Sequence, residues 1–262
     1  MMLWWEIPRD LCKPGVAMDK SKVFEDEKKA RIVKMAEDAN TQDISAKWFI
    51  ESCKHNYSYN FAWMGRPIIQ FPQDILALQE IIWQVKPELI VETGIAHGGS
   101  LVFYASMIEL LGGTGQVVGI DIDIRQHNRV EIEKHQMFKY ITLIQGSSTD
   151  EVIVGTVREL AQGKRSVLVC LDSNHTHAHV LRELELYAPM VTKGSYLVVF
   201  DTIIEDMPPG FFPDRPWNRG NNPRTAVREF LKTTDRFEID SSIPNKLLLT
   251  VAPDGYLKCM KD

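Results

Sequence analysis

Residues 89–100 place the strongest constraint on how this chain can fold. The apolar run Leu89–Val91 predicts a buried strand, Glu92 ends it with a charge, and residues 101–111 have the pattern of a helix. Three glycines lie between the strand and the helix. A strand, a glycine turn and a helix bring backbone N–H groups and a helix N-terminus up to a ligand. The segment therefore predicts a ligand-binding turn in an α/β fold.

The spacing of these glycines fits two common phosphate-binding motifs poorly. A dinucleotide fingerprint needs G-x-G-x-x-G, and a phosphate loop needs G-x-x-x-x-G-K-[ST]. Gly94 and Gly99 have the second separation, but Ser100 stands where the lysine belongs. An acidic strand end without a phosphate-binding cation suits a cofactor that carries a positive charge and a nucleoside but no phosphate. S-adenosylmethionine meets this description, and an ordinary turn that binds nothing is the alternative.

The composition indicates one large α/β domain with an appendage. Of the 262 residues, 44% are hydrophobic and 25% are charged. The net charge of −5 argues against nucleic acid as the principal partner. No apolar stretch approaches the length of a membrane span. The four cysteines are scattered without a C-x-x-C pair, which predicts free thiols. We therefore expect a cytoplasmic protein whose partner is neither a nucleic acid nor a membrane.

Strands and helices alternate from residue 76 onward, after an N-terminal extension. Alternation of this kind predicts a doubly wound, mostly parallel sheet, here with seven strands. The extension, 1–75, is expected to be helical at 20–39 and 45–55, with an aromatic cover loop before Asp74, which is expected to cap the next helix. The later strands are predicted at 116–121, 140–145, 166–172, 195–201, 237–239 and 247–251.

Acidic side chains end four of the predicted strands, and the carboxyl ends of parallel strands form the ligand-binding edge of such a sheet. Asp121 suits the two hydroxyls of a ribose, and a helix cap is the alternative. Ser147 and Ser148 follow the next strand and can border an adenine, again with helix capping as the alternative. The predicted cofactor-binding residues are Glu92, Gly94, His97, Gly98, Ser100, Asp121, Ile122, Ser147, Ser148 and Asp172.

A histidine-rich turn, Asp172-Ser-Asn-His-Thr-His-Ala-His179, follows the fourth core strand. Asp172 and Asp201 end neighbouring strands, where their oxygens could share a divalent cation. His175 is the candidate general base for a hydroxyl group, and a metal could assist by lowering the pKa of that hydroxyl. For His177 and His179 we expect ordinary structural roles.

Two aromatic stretches are candidates for holding an acceptor. The connection 202–222 is rich in Pro, Gly, Trp and Arg, and a connection of this length inside a domain is usually functional or disordered. Its aromatic content favours an ordered lid. The stretch 56–74 either covers a ligand or serves as a structural cover. The candidate substrate contacts are Tyr59, Trp63, Arg66, Trp217 and Arg219.

Together these motifs resemble the cephalosporin hydroxylase-like family, which includes rhamnosyl O-methyltransferases. The resemblance rests on residues 91–100, 119–123, 171–177 and 194–201. It implies a Rossmann-like class I methyltransferase domain over residues 76–262, with S-adenosylmethionine as methyl donor. It also implies a sugar or nucleotide-sugar hydroxyl as acceptor, His175 as the base, and Asp172 and Asp201 as magnesium ligands.

The chain departs from the family pattern at the end of the fifth core strand. Family members with a clear metal site carry Glu-Asp there, whereas this chain has Phe200-Asp201. Catalysis with Mg²⁺ and catalysis without it both stay open, with Glu205 or Asp206 as substitute ligands. The alternative functions are a nicotinamide-dependent oxidoreductase, against which the missing G-x-G-x-x-G argues, and a non-catalytic S-adenosylmethionine-binding protein. A homo-oligomer is compatible with all three.

Overall fold

The computed structural model describes residues 20–262, so the first 19 residues of the predicted extension lie outside the described part. Two helices come first, α1 (Lys20–Glu37) and α2 (Ala39–Lys54). The prediction put the break between them near residues 40–44. The break lies at Asp38 instead, because its side chain accepts hydrogen bonds from the backbone N–H groups of Asn40 and Thr41 and so caps α2.

The aromatic stretch before the core contains a hairpin where a loop was predicted. Strands β1 (Phe61–Trp63) and β2 (Arg66–Ile68) pair in antiparallel fashion. Met64 and Gly65, the two residues between them, both have positive φ angles, of 46° and 85°. Two-residue turns of this kind match the natural twist of paired strands. The hairpin therefore gives the stretch a defined shape before helix α3 (Pro72–Val85) begins.

Asp74 does not cap α3, as the sequence had suggested. The helix begins at Pro72, which suits the first helical position because it needs no N–H donor there. Asp74 is fully buried and accepts hydrogen bonds from the hydroxyls of Thr250 and Tyr256 and from the backbone N–H of Val251. The side chain therefore joins the start of α3 to the end of the chain.

Seven strands form the central sheet in the order β5-β4-β3-β6-β7-β9-β8. Strands β3 to β7 run parallel, and β8 and β9 are antiparallel to their neighbours. The strands are β3 (Leu89–Thr93), β4 (Gln116–Asp121), β5 (Ile141–Gln145), β6 (Val167–Leu171), β7 (Tyr196–Val199), β8 (Phe237–Ile239) and β9 (Tyr256–Cys259). The predicted mostly parallel, seven-stranded sheet is confirmed. Strand order reverses between β3 and β6, where ligands bind in folds of this type.

The predicted strand at 247–251 is wrong. Leu247 ends a short helix, and the strand that pairs with β8 is β9, which begins at Tyr256. The backbone N–H of Val251 is bound to the Asp74 carboxylate, so it does not join a strand ladder. The Asp74 side chain therefore accepts from a backbone N–H group that a strand at 247–251 would have used for pairing.

Helices cover both faces of the sheet and create two hydrophobic cores. One core includes α3 and α4, and the other includes α6, α7 and α8. The remaining helices are α4 (Gly99–Leu110), α5 (Gln126–Glu133), α6 (Glu151–Ala161), α7 (His177–Tyr187), α8 (Pro223–Phe230) and α9 (Ser242–Leu247). In the described residues, no helix combines the length and the apolar character needed to cross a membrane.

A third, smaller core connects the N-terminal helices to the carboxyl edge of the sheet. Phe49 of α2, Phe71 and Met207 are buried together, and the rings of Phe49 and Phe71 stack with centroids 4.6 Å apart. Met207 follows the 3₁₀ turn Thr202–Asp206, which begins just after Asp201. Helix α2 is therefore packed beside the strand ends on which the candidate site is built.

Candidate functional site

The glycine turn after β3 is shaped by its contacts with neighbouring chain segments. Gly94 and Gly98 have φ angles of 80° and 78°, which L-residues rarely adopt. A Cβ atom at Gly94 would lie 2.1 Å from the carbonyl oxygen of Asp172, and one at Gly98 would lie 2.3 Å from Ile132 Cδ1. Both glycines are therefore required for packing as well as for backbone conformation.

Glu92 is buried in β3, with a side chain 1% exposed. Ser100 Oγ donates a hydrogen bond of 2.5 Å to Glu92 Oε2, and the Tyr104 hydroxyl donates one of 3.1 Å to Oε1. Burial raises the pKa of Glu92 to about 8, although both hydrogen bonds act in the opposite direction. Glu92 and Ser100, predicted as cofactor contacts, are thus bonded to each other beneath the turn.

A cleft of about 180 Å³ lies at the carboxyl ends of β3, β4, β5 and β6. Five of the predicted cofactor-binding residues are in its wall, and one of them, Ile122, exposes 74% of its surface. An exposed apolar side chain at the rim of a polar cleft suits the flat face of a nucleobase. The lining residues are Gly94, Ile120, Asp121, Ile122, Ser147, Ser148, Ser173, Asn174 and His179.

The alternative roles as helix caps do not apply to the cleft residues. Asp121 accepts hydrogen bonds of 3.0 Å from the backbone N–H groups of Ile95 and Asp123, and α5 begins only at Gln126. Helix α6 is capped by Asp150, not by Ser147 or Ser148. The ribose contact of Asp121 and the adenine contacts of Ser147 and Ser148 stay predictions, and helix capping is no longer an alternative for them.

Arg66, on β2, stabilises the glycine turn after β3 through hydrogen bonds. Its Nε and Nη2 atoms donate hydrogen bonds of 3.1 and 2.6 Å to the carbonyl oxygen of His97. Nη2 also lies 3.2 Å from Asn128 Oδ1, and His97 Nδ1 lies 3.3 Å from the same oxygen. Arg66 and His97 thus fix the conformation of the turn. Contact of Arg66 with an acceptor stays a prediction.

Trp63 and Tyr59 have different environments. Trp63 Nε1 donates a hydrogen bond of 3.0 Å to Ser106 Oγ, and its ring lies edge-on to Phe103 of α4 with centroids 4.9 Å apart. Tyr59 is 59% exposed. The Trp63 ring and its Nε1–H group therefore already have partners within the protein. Contact of either side chain with an acceptor stays a prediction.

Asp172, His175 and Asp201 meet at the carboxyl ends of β6 and β7. One ligand atom of each residue lies within 4.8 Å of those of the other two. His175 Nε2 lies 3.1 Å from Asp201 Oδ2. Burial, and then repulsion by Asp201, raise the pKa of Asp172 well above its ordinary value. Two carboxylates that repel each other beside a histidine form an oxygen-rich donor set suited to a divalent cation.

The substitute metal ligands considered for the missing strand-end carboxylate have other partners. Glu205 accepts hydrogen bonds from Gly220 N at 2.8 Å and from Asn222 Nδ2 at 2.5 Å. Asp206 forms an ion pair of 2.7 Å with Arg224. These contacts give the connection 202–222 its shape, so neither carboxylate is free for the cluster around Asp172.

The connection 202–222 brings an aromatic ring to the candidate base. Trp217 lies edge-on to the imidazole of His175, with ring centroids 4.7 Å apart. The guanidinium of Arg215 lies over the Trp217 ring, 5.3 Å from its centroid. Arg219 is exposed on the same connection. Of the two substrate contacts predicted here, Trp217 is the one next to the cluster.

The sequence reasoning missed several polar residues of this region. His179, expected to be structural, lines the cleft, and its Nε2 lies 3.1 Å from both Ser148 Oγ and Ser173 Oγ. Ser173 donates a hydrogen bond of 2.7 Å to Glu183, which is fully buried. The three-histidine turn was a usable signal for His179. His177, in contrast, contacts Thr225 and Glu229 of α8 and links two helices.

Gln70 was also missed, because nothing in its local sequence points to the site. It lies between β2 and α3, and its Nε2 donates a hydrogen bond of 3.1 Å to Asp172 Oδ2. Its Oε1 is buried and has no hydrogen-bond partner among the described residues. Leaving such an oxygen unpaired costs about 1–3 kcal/mol, so it needs an explanation.

Known proteins resemble this chain over most of its length. Rhamnosyl O-methyltransferases of Mycobacterium bovis (strain BCG / Pasteur 1173P2) and Mycobacterium leprae (strain TN) are each 29% identical, over 215 and 218 residues. The first match covers 78% of this chain and 82% of the relative, and the second covers 80% and 87%.

Solved structures of CmcI share the fold. An apo structure aligns with a TM-score of 0.55 at 20% identity, over 78% of each chain. A CmcI structure with Mg and SAM aligns with a TM-score of 0.54 at 22% identity, over 77% of each chain. The sequence profile of one family, described as Rhamnosyl O-methyltransferase/CmcI, matches residues 55–260. This chain therefore belongs to the Rhamnosyl O-methyltransferase/CmcI family.

Proposed function

We propose that this protein is an S-adenosylmethionine-dependent O-methyltransferase that acts on a sugar hydroxyl. The observation that carries the proposal is the pairing of His175 with Asp201 beside a cleft built from β3–β6. Membership of the family and the relatives named rhamnosyl O-methyltransferases support the same reaction. They do not favour a nicotinamide-dependent oxidoreductase.

The cofactor would occupy the cleft at the sheet's switch point. Asp121 is placed for the ribose hydroxyls, Ser147 and Ser148 for the adenine edge, and the exposed Ile122 for the face of the base. When bound, S-adenosylmethionine supplies an activated methyl group to the acceptor hydroxyl. The main task of the chain is then to align the donor and the acceptor.

His175 is the proposed general base. Asp201 accepts a hydrogen bond from His175 Nε2, which favours the tautomer with the proton on Nε2 and a free lone pair on Nδ1. His175 Nδ1 would accept the proton of the acceptor hydroxyl while the hydroxyl oxygen bonds to the methyl group. The bond between that methyl group and the sulfonium sulfur would break, and S-adenosylhomocysteine would leave. Asp201 then stabilises the charged imidazolium, as the carboxylate does in other acid–histidine pairs.

The proposal includes a divalent cation of the magnesium type at Asp172 and Asp201. The donor set fits such an ion, because both side chains offer oxygen and lie close enough to repel each other, a repulsion that a cation would relieve. Burial first, and then this repulsion by Asp201, raise the pKa of Asp172. The ion would lower the pKa of a coordinated acceptor hydroxyl and so assist His175.

The acceptor is proposed to be a sugar or nucleotide-sugar. Trp217 presents a ring beside the base, and aromatic rings suit the apolar face of a pyranose. The scattered cysteines support a cytoplasmic location. Exposed Phe24, Val33 and Ile44 on the N-terminal helices support self-association, which light scattering of the full chain would measure.

The test is a methyl-transfer assay with nucleotide-sugar acceptors. Loss of the base in His175→Ala should lower kcat by about 10²-fold or more, whereas the affinity for S-adenosylhomocysteine, measured by calorimetry, should not change. The control is His127→Ala, which removes an exposed histidine of α5. Full activity of His175→Ala would exclude this residue as the base. Failure of the wild type to bind S-adenosylhomocysteine would exclude the cofactor.

A further inference from the structure

The side chain of Gln70 places one unpaired polar atom in the cluster of Asp172, His175 and Asp201. The residue is 5% exposed. Its Nε2 is bonded to Asp172 Oδ2 at 3.1 Å. Its Oε1 is attached to the same carbon as Nε2, so this oxygen also lies at the cluster, and it has no hydrogen-bond partner in residues 20–262.

No side chain in residues 20–262 donates a hydrogen bond to this oxygen. In their ionised forms, which are the forms that bind a cation, Asp172 and Asp201 are acceptors only. The Nε2 atom of His175 is already within hydrogen-bond distance of Asp201. An amide oxygen among carboxylate oxygens is poorly satisfied by hydrogen bonds, but it is well satisfied by a shared cation.

The end of β7 supplies the cluster with a single oxygen-bearing side chain. Asp201 belongs to the cluster, but Phe200 before it is apolar and 1% exposed within the hydrophobic core. Glu205 and Asp206 are bound elsewhere. A third protein oxygen for a hard cation at Asp172 and Asp201 therefore has to come from another segment, and Gln70 is bonded to Asp172.

We infer that Gln70 Oε1 is the third protein ligand of a divalent cation held by Asp172 and Asp201. Amide carbonyl oxygens are ordinary ligands of hard cations such as Mg²⁺ and Mn²⁺. The bond from Gln70 Nε2 to Asp172 orients the amide and leaves Oε1 for the ion, as hydrogen bonds around metal sites commonly do. The inference rests on the metal-assisted form of the proposed function.

The experiment measures binding of Mn²⁺ to the purified full chain by electron paramagnetic resonance, with and without S-adenosylhomocysteine. Gln70→Met keeps the approximate volume and removes the oxygen, so Mn²⁺ affinity should fall at least tenfold. Gln70→Glu restores an oxygen ligand but not the Nε2 donor, so its affinity should equal or exceed that of the wild type. A residue that merely positioned Asp172 would show weaker binding in both variants.

Matched controls separate a ligand from a general effect of charge or folding. Gln84 is exposed on α3, so Gln84→Met and Gln84→Glu should leave Mn²⁺ affinity unchanged. Circular dichroism verifies that each variant is folded, and Gln70→Ala serves as a second oxygen-free variant if Gln70→Met folds poorly. Asp172→Asn should abolish Mn²⁺ binding.

Besides weaker binding in both Gln70→Met and Gln70→Glu, two further results would overturn the inference. One is equal Mn²⁺ affinity in the wild type and the oxygen-free variants. The other is a wild-type protein that binds S-adenosylhomocysteine but no Mn²⁺, which would remove the metal and leave the methyltransferase function intact. Calorimetry with S-adenosylhomocysteine in metal-free buffer tests that function separately, because its failure would appear there in the wild type.

Discussion

Glu92 accepts hydrogen bonds from Ser100 and Tyr104 in the centre of a buried strand. Burial raises its pKa to about 8, from an ordinary value of 4.5. The folded protein therefore holds a proton that the unfolded chain releases above pH 4.5. The free energy of unfolding should fall as the pH rises from about 4.5 to about 8, because the unfolded state binds fewer protons in this window. Buried Asp74, whose pKa burial raises to about 6, acts in the same direction.

Glu92→Gln should remove the part of this pH dependence that Glu92 contributes, because the substitution removes the buried carboxyl whose pKa is raised to about 8. We expect the variant to gain roughly 1–2 kcal/mol over the wild type at pH 8 and to gain little at pH 5, because most of the pH-dependent loss of wild-type stability occurs between pH 5 and pH 8. Urea denaturation of the cofactor-free protein at the two pH values measures the difference. Glu159→Gln, an exposed change on α6, is the control. An equal effect at both pH values would contradict the raised pKa.

At the scale of elements, the connection 202–222 is held in shape by hydrogen bonds between its own residues. Glu205 binds Gly220 and Asn222, and Asn222 caps α8. These contacts order a segment that has little regular structure, and they carry Trp217 to within ring-contact distance of His175. The connection predicted to be a lid is thus an ordered segment beside His175.

Trp217→Ala should therefore impair use of the acceptor. We expect kcat/KM for a sugar acceptor to fall by up to about tenfold, since an aromatic contact is commonly worth roughly 0.5–1.5 kcal/mol beyond its buried area. The affinity for S-adenosylhomocysteine should stay the same, because Trp217 is not part of the cofactor cleft. Steady-state kinetics and calorimetry give the two numbers. Trp83→Ala, which changes a 61% exposed residue of α3, should affect neither.

At the scale of the whole molecule, the N-terminal extension is attached through aromatic packing. Phe49 of α2 stacks on Phe71, and both meet Met207 beyond the end of β7. The proposed division at residue 75 therefore separates two segments that share a small core. Loss of that core should lower the free energy of unfolding and disturb the carboxyl edge of the sheet.

Phe49→Ala should lower the free energy of unfolding by roughly 3 kcal/mol, the usual scale for removing a buried aromatic ring. Ile44→Ala, on the same helix but 57% exposed, should change it by less than about 0.5 kcal/mol. Urea denaturation monitored by circular dichroism compares the two. Equal, small effects would mean that α2 does not depend on this core.

Much of the fold follows from local patterns in the sequence. The alternation of strands and helices predicted the parallel sheet, because periodicity depends on neighbouring residues. The acidic residues at strand ends indicated the edge at which a ligand is expected. The same reasoning failed at 247–251, where the Asp74 carboxylate binds the backbone of Val251. That bond joins residues 177 positions apart, beyond the reach of any local pattern.

The sequence by itself determined which residue types stand at the ends of the strands: Asp121, Asp172 and Asp201. Only the tertiary structure decided which other residues join them. Gln70 meets Asp172 across 102 positions, and Trp217 reaches His175 through a connection without a repeating pattern. Such meetings depend on how all the helices and strands pack around the sheet, because contacts between distant segments are set by the burial of whole faces and not by local propensity.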